Sequence, residues 1–228
     1  MVQTIAYDAY RRQHRRLPWI CDLCRSARGS LCPGGCVNGR ILLVRHAEVA
    51  LRWRGRCYGQ TDVGLSRDGV RRSKSIVGAV LRQYGAGRIA AVFHSGLLRT
   101  SYLADLIAGA AGVVSRTDPR WRERNFGCWE TRSWDSIWRA SGSAMDRMLT
   151  EPDKFRPGGG ETTAQLFARS IRAWHALPKD GFVIVVTHGG PIACVRGHLA
   201  NAELSQLGKF MVTEGSTVEL PHPRPLQQ

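Results

Sequence analysis

No stretch of this 228-residue sequence approaches the ~18 consecutive apolar residues that a membrane span needs, so a soluble protein is expected. Acidic side chains are scarce, 18 Asp plus Glu against 33 Lys plus Arg, and the net charge is +15 with arginine dominating. Such an excess predicts attraction to anions, whether nucleic acid, an acidic membrane surface or a phosphorylated metabolite, and charge alone does not choose among them. No secretory leader is expected either: the basic stretch Arg11-Arg12-Gln13-His14-Arg15-Arg16 is followed by Leu17-Pro18-Trp19-Ile20-Cys21-Asp22, too short and broken for a signal-peptide apolar region. A cytoplasmic location is the expectation. The seven cysteines are an odd number, which argues against a secreted disulfide framework, and the scattered Cys57, Cys128 and Cys194 are expected to be reduced.

Residues 1–36 differ in character from the rest. They are basic, show no hydrophobic period, and hold Cys21, Cys24, Cys32 and Cys36 in a C-x2-C-x7-C-x3-C spacing. Four thiolates can close a tetrahedral zinc site that would order this otherwise coreless extension, and basic residues around such a knuckle can touch RNA. A plainer reading is that translation begins near Val37, just before the first apolar strand. At the other end, Pro221, Pro223 and Pro225 make residues 221–228 a tail. Residues 37–220 are long enough for one α/β domain.

Within that domain the organising stretch is Ile41-Leu42-Leu43-Val44-Arg45-His46-Ala47-Glu48. Four aliphatics in a row predict a buried strand, and Arg45 and His46 then emerge at its carboxyl end, the edge where ligands bind in an open parallel sheet. Guanidinium beside imidazole suits a phosphate. Ser66 is read as the N-cap of a helix to about Tyr84, ended by Gly85. A second strand, Ile89 to Phe93, turns through His94-Ser95-Gly96 into a helix from about Leu97 to Ala111. Arg99 falls in that helix's first turn, where a positive charge opposes the dipole and calls for a partner anion. A third strand is expected over 113–117, helices over 132–149 and 162–177, the latter capped by Thr162 or Thr163, and an edge strand over 209–221. Phe182 to Val186 is the most continuous apolar run, hence central, and it delivers Thr187-His188-Gly189-Gly190 in the topological position that Arg45-His46 occupies. Glu123 lies between Arg122 and Arg124 in a turn; flanking cations would lower its pKa, and burial beside Phe126 or Trp129 would raise it.

Arg45-His46-Ala47-Glu48, then Gly59-x-x-Asp62-x-x-Leu65-Ser66-x-x-Gly69, Ser95-x-Leu97-x-Arg99, Glu123-x-x-Phe126-Gly127-x-Trp129-Glu130 and Thr187-His188-Gly189-Gly190, in this order, resemble the histidine phosphatase (phosphoglycerate mutase-like) superfamily over about residues 40–200. The Glu123 segment, Pro157-Gly158-Gly159-Gly160-Glu161 and Arg56-Cys57-Tyr58-Gly59-Gln60-Thr61-Asp62 are most similar to its small-molecule phosphatases, including alpha-ribazole phosphatase of cobalamin synthesis.

The resemblance implies a three-layer α/β/α fold with a mostly parallel central sheet. It also implies a phosphoric monoester hydrolase: His46 attacks phosphorus to form a phosphohistidine, Arg45, Arg99 and His188 hold the equatorial oxygens, Arg56 also contacts the phosphate, and Glu123 is the general acid. No cofactor or metal is implied. The partner implied is a small phosphorylated metabolite, alpha-ribazole 5'-phosphate being the favoured example, with neither membrane nor nucleic acid; a homodimer is compatible with the pattern. The alternatives are mutase-type phosphoryl transfer and a nucleic-acid or scaffold protein that uses the cysteine-rich arm. Several positions depart from the family pattern: Ala47 for Gly, Arg52 for Asn, Gly96 for Pro, Thr100 for Ala, Tyr102 for Gln and Thr131 for Gly. These bear on the substrate and not on the chemistry.

Overall fold

The computed structural model describes residues 40–222. The four N-terminal cysteines with their expected zinc knuckle, the alternative start near Val37 and most of the 221–228 tail lie outside the described residues.

Five strands form one mixed sheet: β1 (Arg40–Arg45), β2 (Ile89–His94), β3 (Ser115–Thr117), β4 (Phe182–Thr187) and β5 (Thr217–Pro221), in the order β3-β2-β4-β1-β5. β1, β2, β3 and β4 run parallel, and β5 pairs antiparallel with β1 at one edge. There Pro221 stands opposite Arg40, a place where a missing N–H costs no central ladder bond.

The strand side chains alternate between two faces, and each face carries its own helices. Leu42, Val44, Ile184 and Val186 pack on α1 (Arg67–Tyr84) and α2 (Leu98–Ala111), through Ile76, Val80, Leu103 and Ile107. Ile41, Leu43, Val183 and Val185 pack on the other layer through Trp174 of α5 (Thr163–His175) and Ile192 and Val195 of α6 (Gly189–Leu199). β4 is buried at all six positions, as its unbroken apolar run predicts for a strand covered on both faces. Truncating Ile184 to Ala would leave a cavity between the layers and cost roughly 2–5 kcal/mol. The fold is thus the expected three-layer α/β/α sandwich. Among the described residues no helix is long and apolar enough to cross a membrane.

Register sets the site. β1 and β4 are neighbours, Arg45 stands opposite Thr187, and His46 N–H donates to the Thr187 carbonyl at 3.0 Å. His46 and His188 therefore leave adjacent strands at one level.

Three local expectations need correction. The helix foreseen over 132–149 is broken into α3 (Trp134–Ser141), a 3-10 turn over Gly142–Asp146 and the single turn α4 (Arg147–Thr150), because Gly142 adopts φ +52° and ends α3. β3 starts at Ser115 and not at Val113, since Val113 N–H still donates to Ala108 at the end of α2. The edge strand shrinks to Thr217–Pro221: Leu204–Phe210 is a 3-10 helix, and residues 211–216 form a loop whose backbone is tied to Arg45 and His46.

Candidate active site

His46 is 1 % exposed and His188 is fully buried; their ring centroids lie 5.2 Å apart at 63°. The His46 Nδ1 lies 2.8 Å from the Ala47 carbonyl oxygen, which can only accept. Nδ1 therefore carries the ring hydrogen, and Nε2 keeps its lone pair. Burial, then the charges of Arg99 and Arg45, hold the His46 pKa well below its ordinary 6.5, so the ring is neutral at neutral pH.

His188 ends in a chain of hydroxyls. Its Nε2 lies 2.8 Å from Ser95 Oγ, which is 2.8 Å from Thr100 Oγ1, and Thr100 Oγ1 donates to the Leu97 carbonyl at 2.8 Å. Thr100 spends its one hydrogen on Leu97, so Ser95 donates to Thr100 and His188 Nε2–H donates to Ser95. This fixes the ring and leaves Nδ1 buried without a partner. Burial, with Arg99 next among the causes, also keeps the His188 pKa well below 6.5. Thr100, one of the departures from the family pattern, is a working member of this chain.

Two arginines join the histidines. Arg99, fully buried, donates through Nη1 and Nη2 to the Thr61 and Gly59 carbonyls, and its Nε is left without a partner. Arg45 donates to the Val212 carbonyl through Nη1, and its Nε is likewise buried and unpartnered. Arg45 Nε and Arg99 Nε are thus two orphaned donors, and His188 Nδ1 an orphaned acceptor, on side chains that surround His46. A buried orphan costs about 1–3 kcal/mol, and two unpartnered guanidinium N–H groups beside an acceptor mark a seat for an anion that carries one hydroxyl. The anion expected at the start of α2 is in part Asp62, whose Oδ1 accepts the Leu98 N–H at 2.7 Å.

Glu123 reaches the same site from its loop. Its carboxylate accepts the N–H groups of Arg124 at 2.9 Å and of Gly190 at 3.3 Å, the latter at the start of α6. The flanking guanidinia that the sequence sets beside it are turned away: Arg122 Nε donates to the Ser95 carbonyl and Arg124 Nη1 to Thr163 Oγ1. Arg169 anchors the loop from behind. Its Nε and Nη2 grip Glu161 at 2.7 and 2.9 Å, while Nη1 and Nη2 donate to the carbonyls of Arg120, Arg122 and Glu123.

The paired glycines after His188 are required by this packing. A Cβ on Gly190 would lie 2.2 Å from Glu123 Oε1, and one on Gly189 would meet Met211 Cε at 2.6 Å and Arg45 Nη1 at 3.1 Å. Glu48 has a supporting role, since it accepts from Ser66 Oγ at the start of α1 and from Arg54.

The structure brings His46, His188, Arg45, Arg99 and Glu123 together. Arg56 stands apart: it is exposed, its Nη1 donates to the Thr131 carbonyl at 2.9 Å, and no bond to the histidines or to Arg99 is present among the described residues. Sequence reasoning missed Tyr58, whose ring lies 6.5 Å from His46 and 5.1 Å beneath the Arg99 guanidinium, and Glu214, which accepts the Tyr58 hydroxyl at 3.1 Å. The glycine after Tyr58 was the available signal for the first. Nothing in the sequence around Glu214 marks it. No group of three or more side chains suited to a metal ion occurs among the described residues.

Comparison with known proteins bears on this geometry. The profile of the histidine phosphatase superfamily (branch 1) matches residues 41–224. A probable phosphoglycerate mutase of Yersinia pestis is 31% identical over 159 residues, covering 68% of this chain and 72% of that protein. Among solved structures, mycobacterial glucosyl-3-phosphoglycerate phosphatase superposes with a TM-score of 0.67 at 22% identity, covering 79% of this chain and 89% of the other. The alpha-ribazole phosphatase of Shigella flexneri gives 0.69 at 20% identity over the same shares, 79% and 89%. At these identities the structural likeness speaks for the fold.

Proposed function

Since this chain belongs to the histidine phosphatase superfamily, we propose that it hydrolyses a small phosphomonoester through a phosphohistidine on His46. The observation that carries this reading is a neutral imidazole whose Nε2 lone pair is free, set among the buried, unpartnered Nε atoms of two arginines and the Nδ1 of a second buried histidine.

The chemistry runs in two displacements. His46 Nε2 attacks phosphorus and the bond from phosphorus to the alcohol oxygen breaks, while the protonated Glu123 carboxyl gives its hydrogen to the leaving oxygen. Positive charge that develops on the ring is stabilised by the Nδ1–H bond to the Ala47 carbonyl. Arg45 and Arg99 meet the charge on the equatorial oxygens, and His188 Nδ1 accepts a hydrogen bond from the one oxygen that carries the proton of the monoprotonated phosphate. The Glu123 carboxylate then takes a proton from water, the water oxygen attacks phosphorus, and the phosphorus–nitrogen bond breaks, which returns neutral His46 and releases inorganic phosphate. Each charge is met by a group of the protein, so the scheme requires no metal.

Within the small phosphomonoesters, alpha-ribazole 5'-phosphate is the favoured substrate, supported by the likeness of the 56–62 and 123–130 segments to that branch. Phosphate release from a panel that includes it, with EDTA present, tests the reading. Hydrolysis of at least one member is expected, and release from none would remove the proposal. The relative named as a probable phosphoglycerate mutase supports one second reading, phosphoryl transfer between positions of a sugar acid; isomerisation of 3-phosphoglycerate faster than its hydrolysis would select it.

A further inference from the structure

We propose that Glu214, together with Tyr58, sets the substrate class of this site: a monophosphate ester of an uncharged, hydroxyl-bearing alcohol, with esters that carry a carboxylate near the phosphate disfavoured. The inference rests on the phosphatase reading above and deepens it.

Glu214 is held in place by its loop. Gly215 N–H donates to the His46 carbonyl at 3.0 Å, the Ser216 carbonyl accepts from Arg45 N–H at 3.0 Å, and the Val212 carbonyl accepts from the Arg45 guanidinium. The loop is therefore tied to the nucleophile's own backbone, and a carboxylate on it keeps a fixed position relative to the phosphoryl seat. Glu214 Oε1 accepts the Tyr58 hydroxyl at 3.1 Å and lies 4.0 Å from Arg45 Nη2. Its side chain is 30% exposed, so part of the carboxylate faces outward with acceptor capacity that neither Tyr58 nor Arg45 takes up. Burial, then the Glu214 charge, pushes the Tyr58 phenol up to about 12, so Tyr58 stays a donor.

Charge balance gives the selectivity. The bound phosphoryl group, one of whose oxygens carries the proton shared with His188, and Glu214 together bring two negative charges, and the guanidinia that face them, Arg45 and Arg99, bring two positive ones. His46 and His188 are neutral in the resting site, and Glu48, the remaining charge that Glu214 feels, is negative. The seated phosphoryl group therefore uses up the positive charge. A carboxylate on the leaving group would be an unmatched negative charge beside a partly buried Glu214, whereas a hydroxyl would find an acceptor there. Burial, the largest cause, raises the Glu214 pKa in spite of the nearby Arg45. The exposed arginines of the 52–56 loop act differently: they draw anions toward the mouth over about a Debye length and do not cancel a contact-range repulsion.

The test compares kcat/KM at pH 8, well above the carboxyl range, for ribose 5-phosphate and 3-phosphoglycerate, with p-nitrophenyl phosphate as the reaction control. Wild type should favour the sugar phosphate by about tenfold or more, and Glu214→Gln, which keeps the shape and a Tyr58 partner, should shrink that ratio about tenfold. Because both substrates are measured on one preparation, the ratio does not depend on how much of the variant folds. A ratio that Glu214→Gln leaves unchanged, or a wild-type preference for 3-phosphoglycerate, overturns the proposal while p-nitrophenyl phosphate is still turned over. Absence of hydrolysis of all three esters by wild type would instead overturn the phosphatase reading, and this inference with it.

Discussion

Among single residues, the positions of protons and one strained backbone angle matter most. His46 Nδ1 gives its hydrogen to the Ala47 carbonyl, and burial among Arg99 and Arg45 keeps the ring from taking a second one. An NMR titration of the free enzyme should accordingly show the His46 ring signals unmoved from pH 8 to below 6.5; a midpoint at or above 6.5 would remove the neutral nucleophile. Thr131 is the residue under strain. It sits at φ +71°, where β-branched side chains are rarely found, because its N–H donates to the Cys57 carbonyl at 2.6 Å and its own carbonyl accepts from Arg56. Thr131→Gly should raise stability by roughly 1 kcal/mol in urea unfolding, and a loss would mean that contacts of the threonine outweigh its strain. Gly96, at φ +86°, is the converse case: the proline common there in the family cannot reach that angle, so this chain turns by a different route.

Among the elements, the pairing of His46 with His188 follows from register: parallel neighbours β1 and β4 end level, and each hands a histidine to the same edge. This much was legible in the sequence, since the aliphatic runs 41–44 and 182–186 and the polar residues after them are contiguous signals. A threonine cap for α5, Thr162 or Thr163, was legible for the same reason, and the structure selects Thr162 and adds the reciprocal bonds with Gln165. What escaped were contacts between distant segments. The break after α3 depends on the backbone angle of Gly142, Glu214 faces Tyr58 across 156 positions, and the donors of Arg169 converge on four residues from two stretches of chain. A periodicity cannot report such pairings. Arg169 carries a prediction of its own: without it the Glu123 loop loses its rear anchor. Arg169→Met should lower kcat for an alkyl phosphate about tenfold or more while p-nitrophenyl phosphate, whose leaving group needs little protonation, suffers much less. Equal slowing of both would assign Arg169 to general stability alone.

At the scale of the whole molecule, burying two neutral histidines makes stability depend on pH. The folded pKa values of His46 and His188 are both depressed, so below about 6.5 the unfolded chain binds protons that the folded chain refuses. Stability should be full above that pH and fall as it is lowered, by roughly 1.4 kcal/mol per pH unit for each group. Urea midpoints at pH 7.5, 6.5 and 5.5 check this, and a flat or rising midpoint toward acid would contradict it. The net charge of +15 fits attraction of an anionic substrate without identifying it. The choice among anions belongs to the contact-range groups, Arg45, Arg99, His188 and Glu214.

The central claim is that His46 carries the phosphoryl group. The most direct measurement is to mix the protein with an activated aryl phosphate, quench in base within the first turnovers, and search by mass spectrometry for an 80 Da adduct on His46, which as a phosphoramidate survives alkali. The account predicts the adduct on His46 in wild type and on no residue of His46→Ala, whose turnover should fall by about a thousandfold or more. Turnover without any adduct on His46, or equal turnover by His46→Ala, would contradict it.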